Sequence, residues 1–599
     1  MQGGLTRMGS LLSICLGYTS RTVCASAHGG ELVDTVHDLG TSHGSIRLAD
    51  GIICRTFSEE QQVRDLIERH GADPNHAPGL RAPGSSGRGV QCPLLALAID
   101  TSDTTAVTIH MADGRHGHRR PLALPRWSSP ELQAAIINAL IDGGANMQGL
   151  IRMAVWCGNE SAVRVFLARS AAVRPPHGPV LVMELPWSIS DRVGRQVSLA
   201  YEQRLLSIYR RLIQHDATLA TEQEFNGNLI YNAAHSERGY YSQAFIDSYL
   251  DLLVDNGASL TAVDGSEYEA TPLHVAALKG SRYVTDYLCR HVAAADIDRE
   301  TTGRWYPSET PLYWAARKLN EVTEVSQGDI IPQSTRDRAT RAIPRHEATI
   351  RSLLRSGADI GRIPTDEKGR ECRQLVLPQC TTVLNDDVHT GAMAAVNAAL
   401  APQRSLAALL MKSLPALLPH LLKHPGTPAG NRPPAPPGYG PHEAEAIGWR
   451  IAAMCFDQDA ANEAITANIG IRHSDMARRV QAAVKHVVKS AVFAASSNRE
   501  VVGGMADVGG VTVRVPLQCF AIAPGADTRS QEVVHTRDRL GLREVVHRAR
   551  LDEAARYGLE ESIVKGFNQH LGNDDCQFAG WQQLGRVDKG GRWVTLGIQ

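Results

Sequence analysis

The segment from Thr271 to Gly280 reads TPLHVAALKG, and it decides how this chain of 599 residues is interpreted. Thr271 is a suitable N-cap, because its hydroxyl oxygen can accept a hydrogen bond from a backbone N–H that has no partner inside the helix. Pro272 suits the first helical position, where a missing N–H costs nothing. Gly280 suits a left-handed cap at the C-terminal end. The segment therefore predicts a short helix that begins and ends at defined residues.

A second helix is expected directly after the first. Val284, Tyr287 and Leu288 follow one another at spacings of three and four residues, which places them on one helical face. The first helix carries apolar and small groups at Leu273 and Ala276, so a neighbouring helix can approach it closely. The pattern predicts a pair of helices that packs against further helices on one side.

The same segment matches the signature T-P-L-H-x-A, and on these residues the chain resembles the ankyrin-repeat family. The resemblance implies an α-solenoid of stacked helix pairs that binds a protein partner and has no chemistry of its own. Weaker copies surround the best one from Ile52 to Ile360 and predict about six to eight degenerate repeats. The residues that define the repeat most clearly are Thr271, Pro272, Leu273, His274, Gly280, Thr310, Pro311 and Leu312.

The spacing of the copies is irregular. Thr271 and Thr310 are 39 residues apart, whereas a standard repeat has about 33 residues. Enlarged loops are therefore expected, and insertions of this kind either contact a partner or are tolerated excursions on the surface. The candidate loops are residues 76–91, 101–130, 174–195 and 320–345.

Changes in composition divide the chain into five segments, and the expected fold class is mostly α. A leader at residues 1–50 is poor in acidic residues and is expected to be disordered or to act in targeting. The repeat array is expected at residues 51–365, followed at 366–424 by short helices that cap it. Residues 425–441 are rich in Pro and Gly and predict a linker, and residues 442–599 predict a smaller α+β domain.

The leader contains a candidate acylation signal. The sequence from Met8 to Ser13 matches the N-myristoylation pattern, with Gly9 as the acceptor if translation starts at Met8. Cys15 would supply a second acyl site, and stable anchoring requires two such signals. This pattern predicts peripheral association with a membrane. The alternatives are a chance match and a secretory signal.

Signatures of phosphate-binding loops, zinc proteases, nucleophile elbows and kinases are absent from the sequence. The remaining catalytic candidate is Cys519 as a thiol nucleophile, with His535 as base and Asp538 as orienting group. A second candidate is Cys576, which follows His570. Both compete with the simpler interpretation that an isolated cysteine packs in a core. No Cys-x-x-Cys pair occurs, and neither a metal nor a cofactor is expected.

Composition restricts the class of partner. The formal net charge is −1, so no global charge favours nucleic acid or anionic lipid. An odd number of cysteines, 11, argues against a disulfide framework and favours a reducing cytosol. No apolar run is long enough to predict a transmembrane segment. Residues 476–489 predict a basic amphipathic helix, which suits either a solvated face over a core or an acidic surface.

These observations favour a protein-binding function for the repeat array. A leader poor in acids, degenerate repeats and an unassigned C-terminal domain resemble the layout of bacterial effectors that act inside eukaryotic host cells. That resemblance implies secretion into a host cell and a site at its plasma membrane. The alternatives are a cysteine-dependent hydrolase or transferase in residues 442–599, whose substrate the repeats select, and a plain cytoplasmic scaffold.

Overall fold

A computed structural model describes most of the chain. The described residues are 18–24, 32–101, 109–113, 118–170, 172–174, 181–186, 196–224, 227–236, 240–421, 448, 450–493, 505–508, 511–514, 518–522, 539–564, 583–587 and 593–595. They are mostly helical, as the sequence predicts. The chain divides into two compact units, Met1–Thr349 and Ile350–Gln599. From the sequence, the repeat array is expected to end at residue 365.

Helices dominate the described part of the first unit. They are α1 (His43–Ile53), α2 (Glu60–His70), α3 (Leu94–Leu97), α4 (Pro130–Asp142), α5 (Leu150–Trp156), α6 (Glu160–Ala168), α7 (Leu199–His215), α8 (Leu229–Ser236), α9 (Gln243–Asp255), α10 (Pro272–Lys279), α11 (Arg282–His291), α12 (Ala294–Ile297), α13 (Pro311–Gln327) and α14 (Gln333–Arg355).

These helices contact one another in two rows. In the first row, α1 contacts α3 and α3 contacts α5; further along, α8 contacts α10 and α10 contacts α13. In the second row, contacts run in sequence order from α2 through α4, α6, α7 and α9 to α11. Successive helices pair across the rows, as α1 does with α2, α5 with α6 and α10 with α11.

The helix ends predicted around the best motif are confirmed. Thr271 is the N-cap of α10 and forms a capping box with His274, and Pro272 is the first helical residue. Gly280 closes the helix with a φ of +65°, in the left-handed region. Thr310 is the N-cap of α13, and its hydroxyl oxygen accepts from the backbone N–H of Tyr313 at 3.3 Å.

Residues 181–186 of the first unit form a turn. Residues 181–186 lie beside α5, where Arg152 forms an ion pair with Glu184. Burial raises the pKa of three tyrosines that face this segment, so their hydroxyls remain protonated and donate. The bonds to its backbone carbonyls run from Tyr249 to Met183 at 2.9 Å, from Tyr209 to Glu184 at 2.9 Å and from Tyr241 to Pro186 at 3.1 Å.

A sheet also belongs to the first unit, and the sequence did not predict it. Its strands are β1 (Tyr18–Cys24), β2 (Leu32–Asp38), β3 (Gly79–Arg81), β4 (Val90–Gln91), β5 (His110–Asp113) and β6 (His118–Pro121). The order is β1-β2-β3-β5-β6, with β4 also paired to β3; β3 and β5 are parallel and the other pairs are antiparallel. A separate short pair joins β7 (Gln223–Glu224) to β8 (Gly227–Asn228).

This sheet corrects the expectation for the leader. Residues 18–24, 32–38 and 43–53 form strands and a helix, so this part of residues 1–50 is ordered. Buried Asp34 of β2 forms an ion pair with buried Arg81 of β3 at 3.5 Å. Two of the expected loops, 76–91 and 101–130, supply the remaining strands. The partner strands lie far apart in sequence, so local composition does not reveal the pairing.

A third segment that the sequence predicts to be a loop is mostly helical. Residues 320–345 lie mostly within α13 and α14, so the insertion lengthens two helices. Pro344 lies inside α14. The extra residues follow the helical pattern of the flanking sequence and therefore extend it.

The described part of the second unit contains α15 (Glu367–Thr382), α16 (Val388–Leu421), α17 (Gln458–Ile469), α18 (Asp475–Phe493) and α19 (Leu542–Ala555), with a π-helical turn at Val383–Asp387. Its strands are β9 (Met505–Val508), β10 (Val511–Arg514), β11 (Gln518–Ile522), β12 (Arg539–Gly541), β13 (Gln583–Val587) and β14 (Trp593–Thr595). Strand β9 pairs with β10, and the order of the other four is β12-β11-β13-β14. The hairpin expected near the C-terminus is confirmed by the pairing of β13 with β14.

Helix α16 corrects the expectation for residues 366–424. It is one continuous helix that runs through Pro402, whereas the sequence predicts several short helices here. It contacts α17, α18 and α19, so it belongs to the core of the second unit and does not act as a separate cap. The expected linker, residues 425–441, lies outside the described residues.

The basic amphipathic helix of the sequence is α18. Its apolar stripe, which includes Val480, Val484 and Val488, is buried, and the helix contacts α16 and α19. On the polar face, Arg479 forms an ion pair with Asp552 of α19 at 2.7 Å. The simpler interpretation, a solvated face over a core stripe, accounts for these contacts.

Candidate functional site

A cavity of about 380 Å³ opens on the first row of helices. Three helices contribute to it, α8, α10 and α13, together with two loops that we call the aromatic loops, residues 261–270 and 298–309. The residues that line it are Tyr231, Asn232, His235, Tyr268, Val275, Leu278, Lys279, Tyr306, Trp314 and Arg317. Four of the ten are aromatic, and none is a carboxylate.

Helical spacing places the lining side chains on one face of each helix. His235 follows Tyr231 by four residues on α8, Lys279 follows Val275 by four on α10, and Arg317 follows Trp314 by three on α13. Residues at these spacings share a helical face. Because α10 contacts both α8 and α13, the three faces join into one surface.

The aromatic loops have unusual backbone conformations. Glu269, Tyr306 and Ser308 have φ angles of +45°, +57° and +60° although none is glycine. Such conformations cost about 1 kcal/mol or more each, and they tend to cluster at functional sites. Gly303 is required here, because a Cβ atom would overlap the backbone of Tyr268 in the neighbouring loop.

Hydrogen bonds hold the two loops against each other and against the helices. The backbone N–H of Trp305 donates to the carbonyl of Glu267 at 3.1 Å. Asp264 is buried and accepts from the hydroxyl of Tyr231 at 2.9 Å and from the backbone N–H of Ala270 at 2.9 Å. The loops are therefore fixed by polar contacts that leave the aromatic rings facing outwards.

The rings form a connected set. Tyr268 and Tyr306 are stacked, with centroids 6.0 Å apart and planes at 6°. Trp314 meets Tyr268 edge-on, with centroids 6.3 Å apart and planes at 88°. The guanidinium of Arg317 lies 4.5 Å above the centroid of Tyr306, and it forms an ion pair with Glu309 at 2.8 Å. Burial raises the pKa of Glu309, and the charge of Arg317 opposes that shift.

Much of this aromatic surface is open to solvent. The side chains of Tyr268, Trp305 and Tyr306 are 41%, 56% and 49% exposed. A contiguous exposed apolar patch of this kind is typical of an interaction surface. Inside the cavity, the buried amide nitrogen Nδ2 of Asn232 has no hydrogen-bond partner among the described residues. An unpartnered buried donor is costly.

The repeat-defining residues of the sequence lie beneath this surface. Leu273 and Leu312 are buried, as are the caps Thr271 and Thr310. His274 is fully buried; its Nδ1 accepts from the backbone N–H of Thr271 at 3.3 Å, and its Nε2 lies 3.1 Å from the carbonyl oxygen of Glu309. These contacts link the N-terminal end of α10 to the second aromatic loop. The motif residues therefore support the site, and the cavity-lining residues form it.

Sequence reasoning did not select the cavity-lining aromatics, although a signal for them exists. Tyr268 lies three residues before Thr271, and Tyr306 lies four residues before Thr310. An aromatic residue therefore precedes each intact Thr-Pro-Leu motif by nearly the same distance. Because the two loops have nearly the same position relative to their motifs, their aromatic rings are expected to lie next to each other.

The catalytic candidates are not brought together by the described residues. Cys519 is on β11, where its Cα is opposite that of Leu540 on β12. His535 and Asp538 lie outside the described residues, as do His570, Cys576, Gly9 and Cys15. The enzymatic and acylation hypotheses therefore rest on the sequence.

Comparison with known proteins does not assign this chain to a family. No protein-family model matches this chain, and no curated protein matches it. Within the parts of the chain that the structure describes, no helix is both long enough and apolar enough to cross a bilayer.

Proposed function

We propose that the first unit is an ankyrin-type repeat array that binds a protein partner across its first row of helices. The observation that carries this proposal is the aromatic cavity, which three helices of one row and two successive loops form together. The two-row contacts and the caps at Thr271 and Thr310 support the repeat interpretation, because each pair covers the apolar face of the next.

The physical basis is the exposed aromatic surface. Large aromatic rings supply contact area at low cost in side-chain entropy and are enriched among residues that dominate binding energy. Trp305 and Tyr306 are held by a constrained backbone, so little further ordering is needed when a partner binds. A partner segment that lies across α8, α10 and α13 would cover these rings.

A photo-crosslinking experiment on the full chain tests the proposal. A photoreactive phenylalanine analogue is placed at Trp305, and a matched one at Leu199, which is 69% exposed on second-row helix α7. In eukaryotic cell extract we expect a discrete protein adduct at position 305 that position 199 does not give. Equal adduct patterns at the two positions, or none at 305, would remove the proposal.

A role as a bacterial effector inside a host cell is the broader setting that we propose for this array. It rests on the layout of the chain and on the acylation pattern at Gly9 and Cys15. A host cell supplies acyltransferases, so the pattern would place the array at a host membrane. The alternative is a cysteine-dependent hydrolase or transferase activity of residues 442–599, which rests on Cys519, His535 and Asp538. It is tested with a Cys519→Ser variant, which is expected to lose any such activity.

A further inference from the structure

We propose that His37 and His76 form a pH-sensitive switch, which holds the loop at residues 71–78 against strand β2 and releases it when His37 is protonated. We call residues 71–78 the histidine loop. The geometry of the pair carries the proposal: Nδ1 of His37 lies 2.9 Å from Nε2 of His76, and the stacked rings have centroids 5.1 Å apart. Two nitrogens at this distance share one proton, so one must donate and the other accept. The switch is independent of the proposed protein-binding function.

The hydrogen bonds around His37 determine which of its nitrogens carries the proton. Nε2 of His37 lies 3.2 Å from the hydroxyl oxygen of Thr35. That hydroxyl has a single proton, and its other neighbours are acceptors, namely the carbonyl of Arg21 at 3.3 Å and the carboxylate of Asp50. The hydroxyl therefore accepts from Nε2–H of His37, and Nδ1 of His37 is left as an unprotonated acceptor.

His76 is then the donor of the bond between the two rings, through its Nε2–H. A proton added to His76 goes to its other nitrogen, Nδ1, and leaves this bond intact. A proton added to Nδ1 of His37 removes the acceptor between the rings and places two N–H groups against each other. The contact between the rings then becomes repulsive, and it is the protonation of His37 that opens it.

The two histidines differ in their freedom to move. His37 is 1% exposed and lies on β2, which is paired on one side with β1 and on the other with β3. His76 is half-buried and lies on a loop. Repulsion between the rings is therefore relieved by displacement of the histidine loop, while the ring of His37 stays in the sheet.

Charges on the neighbouring elements set the order in which the two rings take up protons. Burial lowers the pKa of His37 to about 4, and the positive charges of His76 and of Arg21 on β1 add to the shift. Burial also lowers the pKa of His76, but Asp73 of the histidine loop and Asp38 of β2 oppose that shift. His76 therefore takes the first proton, and its charge opposes the second one, on His37.

Other charged groups on the packed elements form ion pairs with one another. These pairs are Arg21–Asp50 at 3.2 Å, Arg88–Asp38 at 3.7 Å and Arg81–Asp34 at 3.5 Å. Asp34 is on the opposite face of β2 from His37, because side chains alternate along a strand. Burial raises the pKa of Asp50, so this carboxyl on α1 also takes up a proton in acid. Substitutions at the two histidines separate that effect from the switch.

Two amide hydrogens outside the histidine loop report its position. The backbone N–H of Leu94, at the start of α3, donates to the carbonyl of His76 at 3.3 Å. The backbone N–H of Asn146 donates to Oδ1 of Asn75 at 2.7 Å. Displacement of the loop breaks both bonds, so hydrogen exchange at Leu94 and Asn146 measures how often the loop is open.

Hydrogen exchange of the full chain at pH 7.5 and at pH 5 tests the proposal. It is read as protection factors, which correct for the intrinsic pH dependence of exchange. Opening restores the ordinary pKa of 6.5 to His37, so acid favours the open loop below that pH. Protection at Leu94 and Asn146 is expected to be about thirtyfold lower at pH 5 than at pH 7.5, from a pKa of about 4 in the closed loop.

Two substitutions keep the contact and remove the switch. In His76→Gln, the side-chain amide donates to His37 at neutral pH, and after rotation its carbonyl oxygen accepts from the protonated ring. In His37→Asn, an amide oxygen that does not titrate takes the place of Nδ1. In both variants, protection at Leu94 and Asn146 is expected to fall by less than about threefold between pH 7.5 and pH 5.

His346→Gln is the matched control, because it removes another buried histidine from the first unit. Burial lowers the pKa of His346 to about 4 as well, and it lies on α14. Global unfolding exposes this ring, whereas opening of the histidine loop does not. His346→Gln is therefore expected to leave the thirtyfold loss of protection at Leu94 and Asn146 unchanged.

The outcomes decide between a switch and a structural contact. A pH dependence that is lost in His76→Gln and kept in His346→Gln supports the proposal. The same pH dependence in His76→Gln as in the original chain overturns it, as does an original chain whose protection does not change with pH. A smaller pH dependence in His346→Gln shows that the amides exchange through global unfolding, and this also overturns it. If His37→Asn does not fold at pH 7.5, His76→Gln decides alone.

Discussion

The imidazole ring of His346 lies directly against the backbone of Gly280. A Cβ atom at position 280 would be 2.9 Å from two atoms of that ring, Cε1 and Nδ1. His346 is 2% exposed, so the ring has little room to move. Gly280 is thus required for two reasons, its left-handed φ and its contact with a buried side chain from α14.

Replacement of Gly280 and of a control glycine measures separately the contributions of the left-handed backbone and of the packing against His346. Gly280→Ala is expected to cost about 1 kcal/mol for the left-handed backbone and about 1 to 3 kcal/mol more for the clash with His346. Gly71→Ala is the matched control, because Gly71 closes α2 with a φ of +60° and a Cβ atom there meets nothing within 4 Å. Urea denaturation measures the loss of stability in both variants. Equal losses in the two variants would contradict the packing argument, and His346→Ala is expected to rescue part of the loss at Gly280.

Stability is expected to fall in acid because burial keeps His274 neutral. Burial lowers the pKa of His274 from 6.5 to about 4, and the hydrogen bond to the carbonyl of Glu309 opposes the shift only in part. Between these values the unfolded chain binds a proton that the folded chain does not, so stability is complete above pH 6.5 and falls towards pH 4. At pH 5 the loss from this histidine is on the order of 2 kcal/mol.

Urea midpoints measured between pH 7.5 and pH 5 check this expectation. His37 and His346, whose pKa values burial also lowers to about 4, contribute in the same direction. His274→Gln removes one of these titrating groups. The variant is expected to be less stable at pH 7.5 and to depend less steeply on pH. A slope identical to that of the original chain would refute the role of His274.

Each of the tyrosine hydroxyls that donate to residues 181–186 is expected to contribute separately to stability. Tyr249→Phe leaves the buried carbonyl of Met183 without its donor, at a cost of about 1 to 2 kcal/mol. Tyr283→Phe is the control, because Tyr283 lies on α11 and its hydroxyl is not one of the three that donate to this segment. Differential scanning calorimetry compares the two. A loss no larger in Tyr249→Phe than in the control would show that this hydroxyl does not hold the segment.

Arg550 is expected to stabilise the second unit from its interior. It is 1% exposed, and its Nη2 atom donates to Oδ1 of Asn385 at 2.6 Å and to the carbonyl of Val564 at 3.1 Å. Arg550→Met would leave the carbonyl of Val564 without this donor and Oδ1 of Asn385 with only the backbone N–H of Val564, at a cost of about 2 kcal/mol. Arg556→Met is the control, because the ion pair of Arg556 with Glu553 is on the surface and contributes at most about 1 kcal/mol.

Hydrogen exchange at the backbone N–H of Val564 measures the effect of the Arg550→Met substitution directly. The backbone N–H of Val564 donates to Asn385 at 3.0 Å, so loss of Arg550 is expected to speed its exchange. Unchanged exchange in Arg550→Met would contradict the assignment of Arg550 as the residue that organises this turn.

Membrane association is expected to depend on Gly9 when translation starts at Met8. In eukaryotic cells, the chain expressed from Met8 is expected to partition with membranes. Gly9→Ala is expected to abolish this, because the acylation pattern requires glycine at the acceptor position. Cys15→Ser is expected to give partial release, since one acyl chain alone binds membranes only marginally. An identical soluble distribution of all three proteins would exclude the acylation hypothesis.

Short-range features of the fold were predictable from the sequence. The caps at Thr271 and Thr310, the glycine at 280 and the apolar stripe of α18 all depend on residues within a few positions of one another. Such patterns report the geometry of one helix, and the structure has them where the sequence indicated. The leader illustrates the limit, because β2 has a partner in β3 that composition around Asp34 does not reveal.

The sequence by itself determined the helix pairs and their ends, because hydrogen bonding at a helix terminus and the spacing of apolar groups are local. Only the tertiary structure decided which side chains form the cavity. Tyr231, Tyr268, Tyr306 and Trp314 belong to four different segments, and they line one cavity because the packed helices and the hydrogen bonds of Asp264 bring those segments together. Interactions between distant parts of the chain set that arrangement, and no local pattern encodes it.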